Sequence, residues 1–135
     1  DWAKIGVNVE LANQEWKVFL NTRQQGQYEI ARHGWIGDYV DPMTFLDLWV
    51  TGGGNNDAGY SNAEYDKLVA QAKSEPDQDK RWELMKKAED ILMADMPIVP
   101  IYYYTQVKAA NPDVKGIRVS NLGHVYLDGA YFEAK

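Results

Sequence analysis

The feature that most restricts the fold of this chain is a change of hydrophobic period near its N-terminus. Apolar and polar residues alternate over residues 5–11, which predicts a half-buried strand. Over residues 13–25 the apolar side chains lie three or four positions apart, which predicts a helix that ends at Gly26. Alternation returns over residues 28–32 and predicts a second strand. A strand, a helix and a strand in this order predict a βαβ unit with parallel pairing, so we expect an α/β fold.

Helical patterns follow a polar and aromatic stretch over residues 36–60. A short helical turn is predicted around Phe45 to Trp49, and the glycine-rich residues 52–56 predict a flexible loop. Ser61 and Glu64 form the pattern of a capping box, which predicts that a helix begins there. The apolar face of that helix contains Tyr65, Leu68, Val69 and Ala72.

A second long helix is predicted over residues 77–95 and ends before Pro97. Residues 98–104 are strand-like, with Ile98 and Val99 expected to be buried, and short strands or turns are expected over residues 107–132. The apolar stripe of the helix contains Trp82, Met85, Ala88, Ile91 and Leu92.

Composition excludes several classes of function. The 135 residues contain no cysteine, which excludes a disulfide, a thiolate nucleophile and a cysteine-based metal site. The net charge of -6 disfavours nucleic-acid binding, which depends on basic patches. The two histidines, His33 and His124, lack the spacing of zinc ligands. We therefore predict neither a metal site nor a cofactor.

Asp38 and Asp41 are the first candidates for a functional site. Paired carboxylates are used for acid–base chemistry and for glycoside hydrolysis. They also cap turns, and an aspartate before a proline, here Asp41 before Pro42, is typical of that role. Turn statistics favour the capping role at about 70% for such a pair.

Arg32 is the second candidate, because it ends a predicted strand. An arginine buried at the carboxyl end of a strand needs an anionic partner, and ligands of open α/β sheets bind at that edge. Trp35 and the tyrosines at positions 102–104 are more often core aromatics than ligand platforms, by about three to one. With Asp38 nearby in sequence, Arg32 predicts a site with one cation and one anion, which suits a zwitterion.

These residues stand within a longer pattern that resembles a family. The pattern is similar to the oligopeptide-binding proteins of bacterial ABC importers, a class of extracellular solute-binding proteins that also includes nickel and haem carriers. The similarity covers nearly the whole chain and is loose after about Asn111. Its motifs are Asn8-Val9-Glu10-Leu11, Asn13-Gln14-Glu15-Trp16, Arg23, Ala31-Arg32, Gly34-Trp35, Asp38-Tyr39, Tyr65-Asp66-Lys67-Leu68 and Ile98 to Tyr104.

The resemblance implies a two-lobed protein that closes over an extended peptide and delivers it to a membrane permease. By position, Asp38 would accept the peptide's α-ammonium group, and Trp35 would line a side-chain pocket beside it. Arg32 and Arg23 would meet the carboxylate end, directly or through water, and Tyr104 would border the site. Guanidinium–carboxylate and carboxylate–ammonium pairs are the charge-assisted bonds that such a ligand requires.

The same resemblance assigns residues 1–104 to the second lobe and residues 105–135 to a tail that returns toward the first lobe. We expect the first lobe and a signal or lipoprotein segment to be missing from this chain, since residues 1–4 lack an initiator methionine. Apolar surface left exposed in such a fragment would favour self-association. The implied location is the periplasm, or the outer face of the membrane with a lipid anchor in a Gram-positive organism. Ile36 stands where some relatives have a cysteine.

Three interpretations remain open on the sequence. The first is a non-enzymatic peptide-binding module. The second is a peptide- or carbohydrate-directed hydrolase that uses Asp38 and Asp41, although the sequence offers no nucleophile–base pair. The third is an interaction fragment without a working site. Within the first, dipeptide, murein tripeptide, nickel and haem are alternative ligands.

Overall fold

The computed structural model describes residues 1–133 and divides the chain into two compact units, one formed by Asp1–His33 and the other beginning at Gly34. The helices are α1 (Trp16–Gln24), α2 (Met43–Leu46), α3 (Ala63–Ser74) and α4 (Gln78–Asp95). Short 3₁₀ turns span Trp2–Ile5 and Asp47–Trp49. The strands are β1 (Val114–Lys115), β2 (Arg118–Val119), β3 (Val125–Tyr126) and β4 (Tyr131–Phe132).

In the first unit only the helix of the predicted βαβ unit forms. Residues 5–11 and 28–32 do not form strands in the part of the chain that the structure describes. A strand needs a neighbour that accepts and donates its backbone hydrogen bonds. Without such a neighbour the alternating apolar residues stay exposed, with Leu11 at 88% and Ile30 at 73%. The strand positions predicted from alternation are therefore wrong for this structure, whereas the helix is confirmed.

The second unit has one hydrophobic core, formed where α2 and the following 3₁₀ turn pack with α3 and α4. Tyr65 is its most buried large side chain, and its hydroxyl donates a hydrogen bond to the Leu46 carbonyl. The predicted face of α3 is confirmed in full. The buried residues are Met43, Leu46, Leu48, Trp49, Tyr65, Leu68, Val69, Ala72, Met85, Ala88 and Leu92.

Two expectations for apolar residues are wrong. Trp82 was expected in the stripe of α4, but its side chain is 47% exposed, while Met85, Ala88 and Leu92 are buried. Residues 98–104 form no strand, and Val99 is 72% exposed. Ile98, by contrast, is partly buried and packs against the core.

The loop over residues 50–62 is organised around the side chain of Asn56. The Asn56 amide donates to the carbonyls of Val50 (3.0 Å) and Tyr60 (2.7 Å), and its oxygen accepts from the Tyr60 amide (3.1 Å). The Tyr60 hydroxyl then donates to Asp95 at the end of α4 (2.7 Å). Burial and the Asp95 carboxylate raise the pKa of Tyr60 to about 12, so this hydroxyl remains a donor at neutral pH. The predicted plain loop is thus tied to a helix.

The N-terminus of α3 differs from the predicted capping box by one residue. Asn62, and not Ser61, is the N-cap, and its side-chain oxygen accepts from the amides of Glu64 (3.0 Å) and Tyr65 (3.1 Å). The Ser61 hydroxyl instead accepts from that of Thr51. Asparagine and serine are equally good N-caps, so the sequence alone does not distinguish them.

Replacement of the N-cap tests this assignment. We expect Asn62→Ala to lower the free energy of unfolding by about 1 kcal/mol, because two helix amides lose their acceptor. Urea unfolding followed by circular dichroism measures the loss. Ser61→Ala is the matched control and should cost less, and an equal or larger cost for Ser61→Ala would restore the capping box.

The C-terminal segment forms two antiparallel pairs, with β2–β3 lying in sequence between the strands of β1–β4. Gly116 has φ +75°, and a Cβ there would lie 2.0 Å from the Gly129 carbonyl oxygen, so only glycine fits. Arg118 of β2 pairs with Asp128, which follows β3 (2.7 Å). The expected short strands of the tail are confirmed. Within residues 1–133, no helix combines the length and the apolar character that crossing a membrane requires.

Candidate ligand-binding site

The segment that contains Trp35 and Asp38 is held in place by the hydroxyl of Thr44. Thr44 is 4% exposed at the start of α2, and its Oγ1 accepts from the Asp38 amide (3.1 Å) and from Trp35 Nε1 (3.4 Å). Gly37 lies between them, where a Cβ would be 3.0 Å from Thr44 Cγ2, so a glycine permits this close approach. Thr44 could not be recognised from sequence as a support of the site, because nothing in its neighbourhood distinguishes it from any buried threonine.

Trp35 and Asp38, both predicted site residues, line one small cleft of about 80 Å³. The Trp35 ring packs against the hydrophobic core, while Asp38 is exposed. Whole-ligand pockets are several times larger, so this cleft suits a ligand's end group or a few water molecules. The complete lining is Trp35, Asp38, Tyr39, Thr44, Asp47, Leu48 and Asn55.

The polar lining of the cleft combines two carboxylates with neutral side chains that can donate hydrogen bonds, and it contains no cationic side chain. Asp38 and Asp47 carry its carboxylates, and Asp47 is paired with Lys73. Partial burial raises the pKa of Tyr39, and repulsion from Asp47 and Asp41 adds to the rise. The Tyr39 phenol therefore stays protonated at neutral pH. An exposed carboxylate beside an aromatic wall is chemically suited to accept a hydrogen bond from an ammonium group.

Asp41 has a different role from Asp38. Both of its oxygens accept from Arg81, at 2.7 Å and 2.9 Å, and Oδ1 also accepts from the Met43 amide at 2.8 Å. The Arg81 hydrogen bonds hold the pKa of Asp41 below its ordinary value. A general acid requires a raised pKa, so this carboxylate is a structural cap, as turn statistics favoured.

Arg32 and Arg23 lie in the first unit, at and before its C-terminal end. The Arg32 guanidinium carbon is 5.9 Å from the centre of the Trp16 ring, and that of Arg23 is 5.9 Å from the Phe19 ring. Both arginines therefore belong to the first unit. The cleft with Trp35 and Asp38 belongs to the second unit.

Tyr104, the last predicted site residue, belongs to an exposed segment. Its side chain is 50% exposed and packs edge-to-face on Tyr102, with ring centres 5.0 Å apart. Among residues 1–133 no group of three or more histidine, cysteine, aspartate or glutamate side chains is arranged to hold a metal ion.

The sequence and the structure both match peptide-binding proteins. Residues 1–57 match the family model described as bacterial extracellular solute-binding proteins, family 5 middle. The oligopeptide-binding protein OppA of Bacillus subtilis is 45% identical over 134 residues, covering 98% of this chain and 25% of that protein. The periplasmic oligopeptide-binding protein OppA of Salmonella typhimurium is 42% identical over 132 residues, covering 96% of this chain and 24% of that protein.

A crystal structure of Haemophilus influenzae OppA in complex with the peptide RPPGFSPFR superimposes with a TM-score of 0.80 at 39% identity. The match covers 93% of this chain and 25% of that one. The chain thus spans about a quarter of the length of the relatives it matches. The similarity to oligopeptide-binding proteins and the α/β class, as part of a two-lobed architecture, are confirmed. The proteins named here are binding proteins.

Proposed function

We propose that this chain is part of a peptide-binding subunit of an ABC importer, because its residues 1–57 match the model of the bacterial extracellular solute-binding proteins of family 5 and the chain is 45% identical to the oligopeptide-binding protein OppA of Bacillus subtilis. The observation that supports the proposal is the cleft that joins Trp35 to the exposed carboxylate of Asp38. The structure of Haemophilus influenzae OppA, which was solved with a nine-residue peptide, is similar to this chain over 93% of its length. In this proposal the protein binds the backbone and the charged ends of a short peptide and releases it to a permease.

Asp38 accepts hydrogen bonds from the peptide's α-ammonium group, and Trp35 forms the wall of the first side-chain pocket. Arg32 and Arg23 meet the carboxylate end, directly or through water, and Tyr104 borders the site. Main-chain bonds and terminal charges give affinity without strong selection for side chains. Dipeptide, murein tripeptide, nickel and haem are the alternative ligands within this family.

The proposal includes no catalytic role. Asp41, one of the two carboxylates that a hydrolase would use, is committed to Arg81 and Met43, and its pKa is lowered. The hydrolase is therefore not favoured.

The location follows the family, which is extracellular, and the Salmonella relative is named periplasmic. We propose the periplasm, or a lipid-anchored form at the outer face of the membrane in a Gram-positive organism.

Exposed apolar residues support two further proposed partners, which are the first lobe of the same protein and a second copy of this chain. Residues 1–104 would belong to the second lobe, and residues 105–135 would return to the first lobe. Ile101 is 85% exposed, Tyr103 98% and Val107 94%, so this stretch has apolar surface for a lobe to cover. In the isolated 135-residue chain the same surface favours self-association.

Titration calorimetry tests the proposed function. A full-length solute-binding protein that carries this sequence is titrated with tri-lysine, and then with tri-lysine acetylated at one end and amidated at the other. We expect tight binding of the free peptide and a loss of at least tenfold, about 1.4 kcal/mol, when both terminal charges are removed. Binding of neither peptide, with binding of a nickel or haem ligand instead, would contradict the proposal.

A further inference from the structure

The ring of Trp35 and the carboxylate of Asp38 are held by different contacts, although both residues line the cleft. The Trp35 ring packs against the hydrophobic core in addition to its hydrogen bond with Thr44. The Asp38 side chain is exposed, and within residues 1–133 its carboxylate takes part in no hydrogen bond or ion pair. The position of this carboxylate is therefore set by the backbone of Asp38.

The backbone of Asp38 is tethered to a buried oxygen. Its amide donates to Thr44 Oγ1 at 3.1 Å, a shorter distance than the 3.4 Å from Trp35 Nε1 to the same oxygen. Thr44 is 4% exposed, so loss of its hydroxyl would leave the amide without an acceptor that water readily replaces. The Thr44 methyl group also lies close to this segment, because a Cβ on Gly37 would be 3.0 Å from it.

Thr44 is in turn fixed to the core of the second unit. Its amide donates to the Asp41 carbonyl (3.2 Å), and the Asp41 carboxylate is paired with Arg81 of α4 (2.7 Å). At the other end of α2, the Leu46 carbonyl accepts from the hydroxyl of the buried Tyr65. The oxygen that holds the exposed Asp38 segment thus belongs to a helix anchored at both ends.

A carboxylate that is in place before the ligand arrives binds more tightly than one that must be ordered during binding, because ordering subtracts from the affinity. We propose that Thr44 is a positioning residue that holds the Asp38 carboxylate for the α-ammonium group of the peptide. The inference rests on the proposed function, and Thr44 acts through Asp38 and not through a contact with the ligand. It should therefore strengthen binding only of ligands that have a free amino terminus.

The test compares two peptides on four proteins. The full-length protein and its Thr44→Val, Thr44→Ser and Thr51→Val variants are titrated with tri-lysine and with tri-lysine acetylated at its N-terminus. Thr44→Val keeps the shape of the side chain without the hydroxyl, whereas Thr44→Ser keeps the hydroxyl. Thr51→Val is the matched control, since it removes a threonine hydroxyl that pairs with Ser61 (3.0 Å) outside the cleft.

Folding of each variant is verified by urea unfolding before titration. If Thr44→Val does not fold, Thr44→Cys takes its place, because a thiol is a weaker acceptor than a hydroxyl. The same Thr44 substitution is also made on an Asp38→Ala background, which separates an effect that passes through the carboxylate from a general loosening of the cleft.

We expect Thr44→Val to bind tri-lysine about three- to tenfold more weakly, which is the range of one hydrogen bond. Binding of the acetylated peptide should not change, because the Trp35 ring keeps its contacts with the core. Thr44→Ser and Thr51→Val should behave as the parent. On the Asp38→Ala background the Thr44 substitution should have no further effect on tri-lysine.

Three results would overturn the inference and leave the proposed function standing. They are equal weakening of both peptides, an undiminished effect on the Asp38→Ala background, and no weakening of either peptide. Failure of the parent to bind either peptide would overturn the proposed function and the inference with it.

Discussion

Replacing Asp38 with alanine is expected to weaken binding of a free peptide at least tenfold in a full-length protein that carries this sequence. Removal of one member of a desolvated charge pair typically costs about 2–5 kcal/mol, and tenfold corresponds to about 1.4 kcal/mol. Asp38 is anchored through its backbone amide to Thr44, a bond that alanine retains. The substitution therefore removes the carboxylate without releasing the cleft. Calorimetric titration with tri-lysine measures the loss.

Two controls make the Asp38 result specific. Asp90→Ala removes a carboxylate from the exposed face of α4, outside the cleft, and should leave the affinity unchanged. A peptide acetylated at its N-terminus should bind the parent and the Asp38→Ala variant equally weakly, because it has no ammonium group. If the variant instead keeps the parent's affinity for the free peptide, the amino-terminal anchor lies elsewhere.

The second large effect is expected at the ion pair between Asp41 and Arg81, and it concerns stability. Both side chains are less than one-third exposed, and the pair is bidentate. Asp41→Asn keeps an oxygen that accepts from the Met43 amide but removes the charge. We expect a loss of about 2 kcal/mol in the free energy of unfolding, the range of hydrogen bonds to charged groups. Urea unfolding at neutral pH measures it.

Asp47→Asn provides the matched control and pH gives a second readout. The Asp47–Lys73 pair is more exposed, so its loss should cost no more than about 1 kcal/mol.

The pKa of Asp41 is lowered from its ordinary value of 3.8 in the folded chain. The stability it contributes is thus fully present above that value and is lost as the pH falls through the folded pKa. Asp41→Asn should reduce this acid-dependent loss, and an unchanged acid profile would contradict the role of the pair.

The helices could be predicted from sequence because their contacts are local. The periodicity that places Tyr65, Leu68 and Ala72 on one face of α3 depends on residues three or four positions apart, and all three are buried. The strands could not be placed in this way. Alternation over residues 5–11 reports the tendency to form a strand, but a ladder also needs a partner that the pattern does not specify.

The residue types of the candidate site could be predicted from sequence, but the contacts that hold them in place could not. The family resemblance implied that Trp35 lies in a pocket beside Asp38, and both line one cleft; the Asp-Pro pattern predicted that Asp41 caps a turn. The partner of Asp41 is Arg81, 40 positions away, and no local pattern indicates such a contact. Thr44 was missed for the same reason, since its importance depends on which two groups donate to it. The ligand-binding roles of all five predicted site residues remain predictions: Asp38, Trp35, Arg32, Arg23 and Tyr104.

The hydroxyl oxygen of Thr44 links the position of the Trp35 ring to the position of the Asp38 backbone. It accepts from the indole of Trp35 and from the backbone amide of Asp38, so the aromatic wall and the acidic end have one common point of attachment. A shift of α2 therefore displaces both together, and the shape of the pocket cannot change without moving its charge. Substitutions that alter which side chains fit beside Trp35 must preserve this hydroxyl, or they will also move the carboxylate. Substitutions of the lining residues Asn55 and Leu48, which take no part in these two hydrogen bonds, would leave both bonds in place.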